Sequence, residues 1–111
     1  MSAWKVSYTG AAEKDLDAVF EYISYTLLVP DVAKAQVARI MDAADDLDHM
    51  PYRFSLYKDE PWKNKGLRMV PVDNYLVFYL PIETHKQVAI VRILYAGSDI
   101  KGRLCATPLI D

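Results

Sequence analysis

Two arginines and a few tyrosines are the side chains of this sequence best suited to chemistry on a phosphate. Arg92 stands inside the run Val88-Ala89-Ile90-Val91-Arg92-Ile93-Leu94-Tyr95, with apolar residues on both sides of it. A guanidinium in such a run must find a carboxylate, a set of carbonyls, an exit to solvent or an anionic ligand. Arg68 stands in a second β-prone run, and Tyr79 and Tyr95 carry hydroxyls on runs of the same kind. Cleaving a phosphodiester without a metal needs a base, positive charge on the phosphate and a proton donor for the leaving oxygen. Arg68 and Arg92 could supply the charge, and Tyr79 or Tyr95 the proton. Plain structural roles stand beside these. Arg92 could pair with an acidic helix residue or snorkel at a sheet edge. Arg68 could be solvated on an edge strand. Tyr75 and Tyr79 share one strand face and suit a core or rim. His85 lies in a turn, and His49 near a helix C-terminus, where a charged imidazole suits the dipole.

A second candidate is the basic stretch of Arg53, Lys58, Lys63, Lys65 and Arg68, with Trp62 among them and only Asp59 and Glu60 opposing. Cations around an aromatic can hold a nucleic-acid backbone with a stacked base, so Lys58, Trp62, Lys63 and Lys65 are candidate target-binding residues. The plainer role is an exposed loop kept soluble by its charges. Asp42, Asp45, Asp46 and Asp48 make the end of a helix acidic, against its dipole, in a pattern that would meet a basic partner. No His-x-x-x-His, cysteine pair or glycine-rich phosphate loop is present, so no metal and no cofactor is expected. Cys105 is the only cysteine, which excludes an intramolecular disulfide and reads as a spare thiol.

The elements that must position these residues follow from patterning. The 111 residues suit one domain spanning 1–111, and 52% hydrophobic with 25% charged residues excludes a disordered chain. A formal net charge of −2 means that any nucleic-acid-binding surplus is local. No apolar stretch approaches the roughly 20 residues of a membrane span, and no secretory layout opens the chain, so a cytoplasmic protein is expected. Residues 4–8 alternate as a strand. Thr9-Gly10 caps a helix whose stripe is Leu16, Val19, Phe20, Ile23 and Leu27. Pro30-Asp31 opens a second helix, running to about Asp48, with Val37, Ile40, Met41, Ala44 and Leu47 as its stripe. Residues 52–66 read as a loop that includes at most a short strand. Residues 67–72, 75–80 and 88–95 read as a meander, with Pro71 implying an edge position or a bulge and the latter two runs buried on both faces. The tail is expected to hold at most one helical turn. The fold class is therefore α+β, in the order β-α-α-β-β-β, with a helical hairpin packed on a curved antiparallel sheet.

Three segments together resemble one family. Val6 to Leu16 has a small residue before an acidic-basic-Asp-Leu run. Gly66 to Tyr79 has an arginine-bearing strand followed by Tyr-x-x-x-Tyr. Val88 to Asp99 has an arginine, then a tyrosine, then an aspartate. The ordered set is similar to the RelE/ParE superfamily of toxins from type II toxin–antitoxin systems, the plasmid stabilisation or addiction modules. The resemblance implies a growth-inhibiting toxin neutralised by a cognate antitoxin in a hetero-oligomer, with no membrane involved. RelE-like members enter the ribosome and cut mRNA, whereas ParE-like members keep the scaffold and poison DNA gyrase. RelE-like nucleases carry an arginine where Leu76 stands here, and another near Ala96-Gly97-Ser98. Those departures favour ParE-like inhibition. The alternatives are a ribosome-dependent mRNA endonuclease using Arg68, Arg92 and Tyr95 in an altered arrangement, and a weakened toxin that mainly binds its antitoxin. As a toxin of either target class, the chain should present apolar surface on its sheet and hairpin.

Overall fold

Thr9 separates the first strand from the first helix. Its hydroxyl accepts from the Ala12 N–H as a helix cap and donates to the Val91 carbonyl, which ties that cap to the middle of the sheet. The computed structural model describes residues 4–107. In it β1 (Lys5–Tyr8) leads into α1 (Gly10–Glu21), which widens into a π-helical turn over Tyr22–Thr26. A short link leads to α2 (Pro30–Asp45), with proline in its first turn, and a 3-10 turn over Asp46–Asp48 follows. Past a second 3-10 turn at Pro51–Arg53 come α3 (Trp62–Lys65), β2 (Arg68–Val72), β3 (Tyr75–Ile82), β4 (Gln87–Tyr95) and α4 (Ile100–Cys105).

The α+β class, the hairpin and the three-strand meander match the sequence reading. The sheet is mixed, however, in the order β1-β4-β3-β2, with β1 parallel to β4. The helical hairpin crosses the sheet twice, and the segment before β2 brings the chain back once more. β2 therefore runs in the sense of β1, and β4, two reversals later, must do the same.

Both sheet faces are covered. The hairpin packs Ala12, Val19, Ile23, Ala33, Ile40 and Ala44 against Val77, Tyr79, Val88, Ile90 and Ile93. On the other face Tyr57, Trp62, Leu67 and Leu104 close over Phe78, Leu80, Val91 and Leu94. This is why β3 and β4 are apolar on both faces, and why the sheet is not the exposed apolar surface expected from the sequence. Residues 52–66 are a cover rather than a loop, and α4 is longer than one turn; positions 108–111 lie outside the described residues. Two stripe residues also differ. Leu27 is 52% exposed, at the end of the π turn, and Met41 is 40% exposed, beside the fully buried Ile40 and Ala44.

One register shift matters for the rest. Phe78 faces Arg92 and Tyr79 faces Ile90, so Val91 is the extra residue of a bulge. β1 ends opposite Ile90, leaving the edge of β4 open beyond it. Asp15 from α1 takes that place. It accepts from the Ile93 backbone N–H at 2.8 Å and from the Arg92 guanidinium at 2.7 and 2.9 Å. Both side chains are about seven-eighths buried. Removing one partner strands the other, so Asp15→Ala should cost about 3–5 kcal/mol in urea unfolding. A loss below about 1 kcal/mol, the value of an exposed pair, would contradict this role.

Candidate functional site

The three residues read as catalytic lie in three different places. Arg92 spends its guanidinium on structure. Besides Asp15, its Nη1 donates to the Thr107 hydroxyl at 2.8 Å and the Arg103 carbonyl at 3.3 Å, tying the end of α4 to α1. Arg68 stands opposite Tyr79 on the hairpin face, while Arg92 stands opposite Phe78, a residue of the other face. The Arg68 Nη1 donates to the Phe54 and Tyr52 carbonyls, and its guanidinium lies over the Tyr52 ring at 5.0 Å. It fastens residues 52–54 to the sheet edge. Tyr95 ends β4, half-exposed, with its ring edge-on to Tyr75 at 5.9 Å and lying over Gly97. A Cβ at Gly97 would come within 2.6 Å of that ring, so the glycine is what lets Tyr95 lie there.

The remaining candidates divide in the same way. Tyr79 is fully buried and donates to the Pro51 carbonyl at 2.6 Å. Trp62 is 7% exposed and edge-on to Tyr57 at 5.8 Å, so its ring offers no face to a base. That departs from the stacking role, for a physical reason: a four-residue helix turns the indole inward to cover the sheet. Lys58, Lys63 and Lys65 are exposed around it. His85 is exposed in the β3–β4 turn, and His49 sits beside Asp48. Cys105 is a free, exposed thiol.

A concavity lies elsewhere, between the hairpin tip and the ends of β3 and β4. This groove of about 650 Å³ is lined by Val19, Tyr22, Ile23, Leu27, Val29 and Val32 from the hairpin and by Tyr75, Ile93 and Tyr95 from the sheet. Asp15, Gln36, Asn74, Ser98 and Arg103 supply polar rim atoms. Two backbone features shape it. In the π turn the Leu27 N–H reaches back to the Tyr22 carbonyl, and Leu28 then adopts a left-handed φ of 60°. A leucine in that region is strained, and such irregularities gather at functional sites. They leave Leu28 77% and Tyr25 72% exposed beside the groove. The arrangement suits an amphipathic protein segment laid into a groove. Its sequence signal is Leu28-Val29, an apolar pair beyond the last stripe residue, Leu27, at a helix junction. Asp15 is the acidic helix residue that pairs with Arg92, which the sequence pattern alone does not single out.

The tyrosines report on this packing. Burial pushes the Tyr79 phenol up to about 12; burial, then the Asp45 carboxylate, does the same for Tyr8. Burial also raises Tyr75, helped by the neighbouring Tyr22 and Tyr95 phenols. A phenol whose folded pKa exceeds its unfolded value near 10 stabilises the fold below that value and loses its contribution as pH rises toward 12. Ultraviolet titration should therefore find at least two of the eight tyrosines still neutral at about pH 11, with stability falling between about pH 10 and 12. A single step for all eight near pH 10 in the folded protein would contradict the packing.

The family model described as the ParE toxin of type II toxin–antitoxin system, parDE, matches residues 6–100. No curated protein matches by sequence. Among solved structures, the chromosomal ParDE toxin–antitoxin system from P. aeruginosa superposes with a TM-score of 0.69 at 21% identity, over 84% of this chain and 96% of that one. The toxin–antitoxin complex RelBE2 from Mycobacterium tuberculosis gives a TM-score of 0.59 at 22% identity, over 84% and 98%. The archaeal RelE–RelB complex from Pyrococcus horikoshii gives 0.58 at 21%, over 86% and 97%. At such identities the superpositions establish the shared fold.

Proposed function

This chain belongs to the ParE toxin family of type II toxin–antitoxin systems, and we propose that it inhibits its target by binding rather than by cutting RNA. The target in this reading is DNA gyrase, and the site of action is the cytoplasm. One observation carries the reading: the residues that would have to assemble a metal-free ribonuclease site are apart and already committed. Arg92 is held by Asp15 and Thr107, and Arg68 by backbone carbonyls, on opposite faces of the sheet. Tyr95 is left without either arginine as a phosphate clamp. Moving Arg92 onto a substrate would leave the buried Asp15 carboxylate without its counter-charge, at a cost that a ribonuclease would have to recover in every turnover.

The groove at the hairpin tip is the proposed seat of the antitoxin. Its apolar floor and phenol rim suit a helix or extended segment with regularly spaced apolar residues. Among the described residues the Arg103 side chain makes no ion pair and lines the groove, which suits a carboxylate on that segment. Tyr22, Tyr75 and Tyr95 are the large, stiff side chains that concentrate binding energy in protein interfaces.

The experiment compares two assays of the purified chain: gyrase supercoiling, and mRNA end-mapping on programmed ribosomes. The expected result is loss of supercoiling with intact message, reversed by the cognate antitoxin. Leu28→Asp, on an exposed side chain, should fold normally, still inhibit, and need at least about tenfold more antitoxin for rescue. Message cleaved at new ends, with gyrase unaffected, would overturn the proposal.

A further inference from the structure

We infer that the face built by α3 and its neighbour α4 binds the phosphate backbone of a nucleic-acid duplex. The charge of this chain is segregated. Residues 10–48 hold nine acids and three bases, whereas residues 49–111 hold nine bases and six acids. Within the basic part, four lysines collect on the cover of the second sheet face. Trp62 and Leu104 are buried in the same cluster, so α3 and α4 lie on one side of the sheet, and the Lys101 ammonium reaches the Asp59 carboxylate at 3.6 Å across the gap between them. With Trp62 turned inward, Lys63 and Lys65 project on either side of it, and Lys58 and Lys101 flank the same cover, all exposed.

The nearby acids, Asp59, Glu60 and Asp99, are one fewer than the lysines and offset them only in part. Glu60 accepts from the Asn64 backbone N–H, and Asp99 caps α4 through the Gly102 N–H. Asp59 alone faces a lysine, and at a distance too long for a hydrogen bond. Among the described residues Lys58, Lys63 and Lys65 make no ion pair. A cluster of free ammonium groups on a protein of net charge −2 is an electrostatic footprint for a polyanion.

The burial of Trp62 decides which polyanion. Proteins that hold single strands stack bases on exposed aromatics between their cations. Here the aromatic between the lysines is packed into the core, which leaves phosphate contacts alone, and those suit a duplex read without regard to sequence. None of the four lysines lines the groove, and the inference does not rest on what occupies it.

The test is anisotropy of a labelled duplex of mixed sequence, titrated with the full chain across a range of salt. Four phosphate contacts predict a slope of log affinity against log salt of about −3 to −4. Lys63→Glu/Lys65→Glu should weaken binding more than about tenfold and flatten the slope by about 2. Lys14→Glu/Lys34→Glu changes the net charge equally, on the hairpin, and should leave both values near those of the unaltered chain. Displacement by unlabelled duplex DNA and duplex RNA, run separately, identifies the backbone taken, and either supports the inference. Failure to bind a duplex at low salt, equal losses in the two double variants, or displacement by single strands alone would overturn it. Circular dichroism and antitoxin capture by the same variants distinguish loss of this face from misfolding or from failure of the groove assignment.

Discussion

Asp15 is the residue on which the architecture turns. β1 is four residues long and leaves β4 with an open edge just where a bulge turns Arg92 outward. An unpaired backbone N–H and a guanidinium there would each carry a desolvation cost. One carboxylate from α1 meets both, and Arg92 then passes the connection to Thr107 at the end of α4. Hairpin, sheet and C-terminal helix are thereby joined at a single point. The same economy removes Arg92 from the list of groups free to act on a substrate.

Covering both sheet faces has a second consequence. Once the segment from Tyr57 to Leu67 and α4 have closed the far side, much of the exposed apolar surface lies at the hairpin tip. There the π turn and the left-handed Leu28 hold Tyr22, Tyr25, Leu27 and Leu28 outward. Strain is tolerated at that junction because two helices anchored in the core hold both sides of it. In the proposed reading this surface receives the antitoxin.

Much of the fold was legible in the sequence because its determinants are local. Thr9 caps, Pro30 starts a helix, Pro71 marks an edge, and the runs in β3 and β4 report burial on both faces. The direction of β1 was not legible, since it depends on how often the chain crosses the sheet. The site was less legible still. A bulge at Val91 decides which face Arg92 takes, and only three-dimensional proximity pairs it with Asp15, 77 positions away. Trp62 shows the opposite failure: its lysine neighbours suggested a stacking surface, but one short helical turn sends the indole inward.

The most direct measurement is growth arrest by Asp15→Leu/Arg92→Met, expressed without antitoxin and checked for a cooperative melt. Replacing a buried ion pair with apolar residues of similar volume commonly leaves a fold intact. If Arg92 serves the scaffold alone, the folded double variant arrests growth as the unaltered chain does. A variant that folds and melts cooperatively yet leaves growth untouched would show that the guanidinium itself acts on the target.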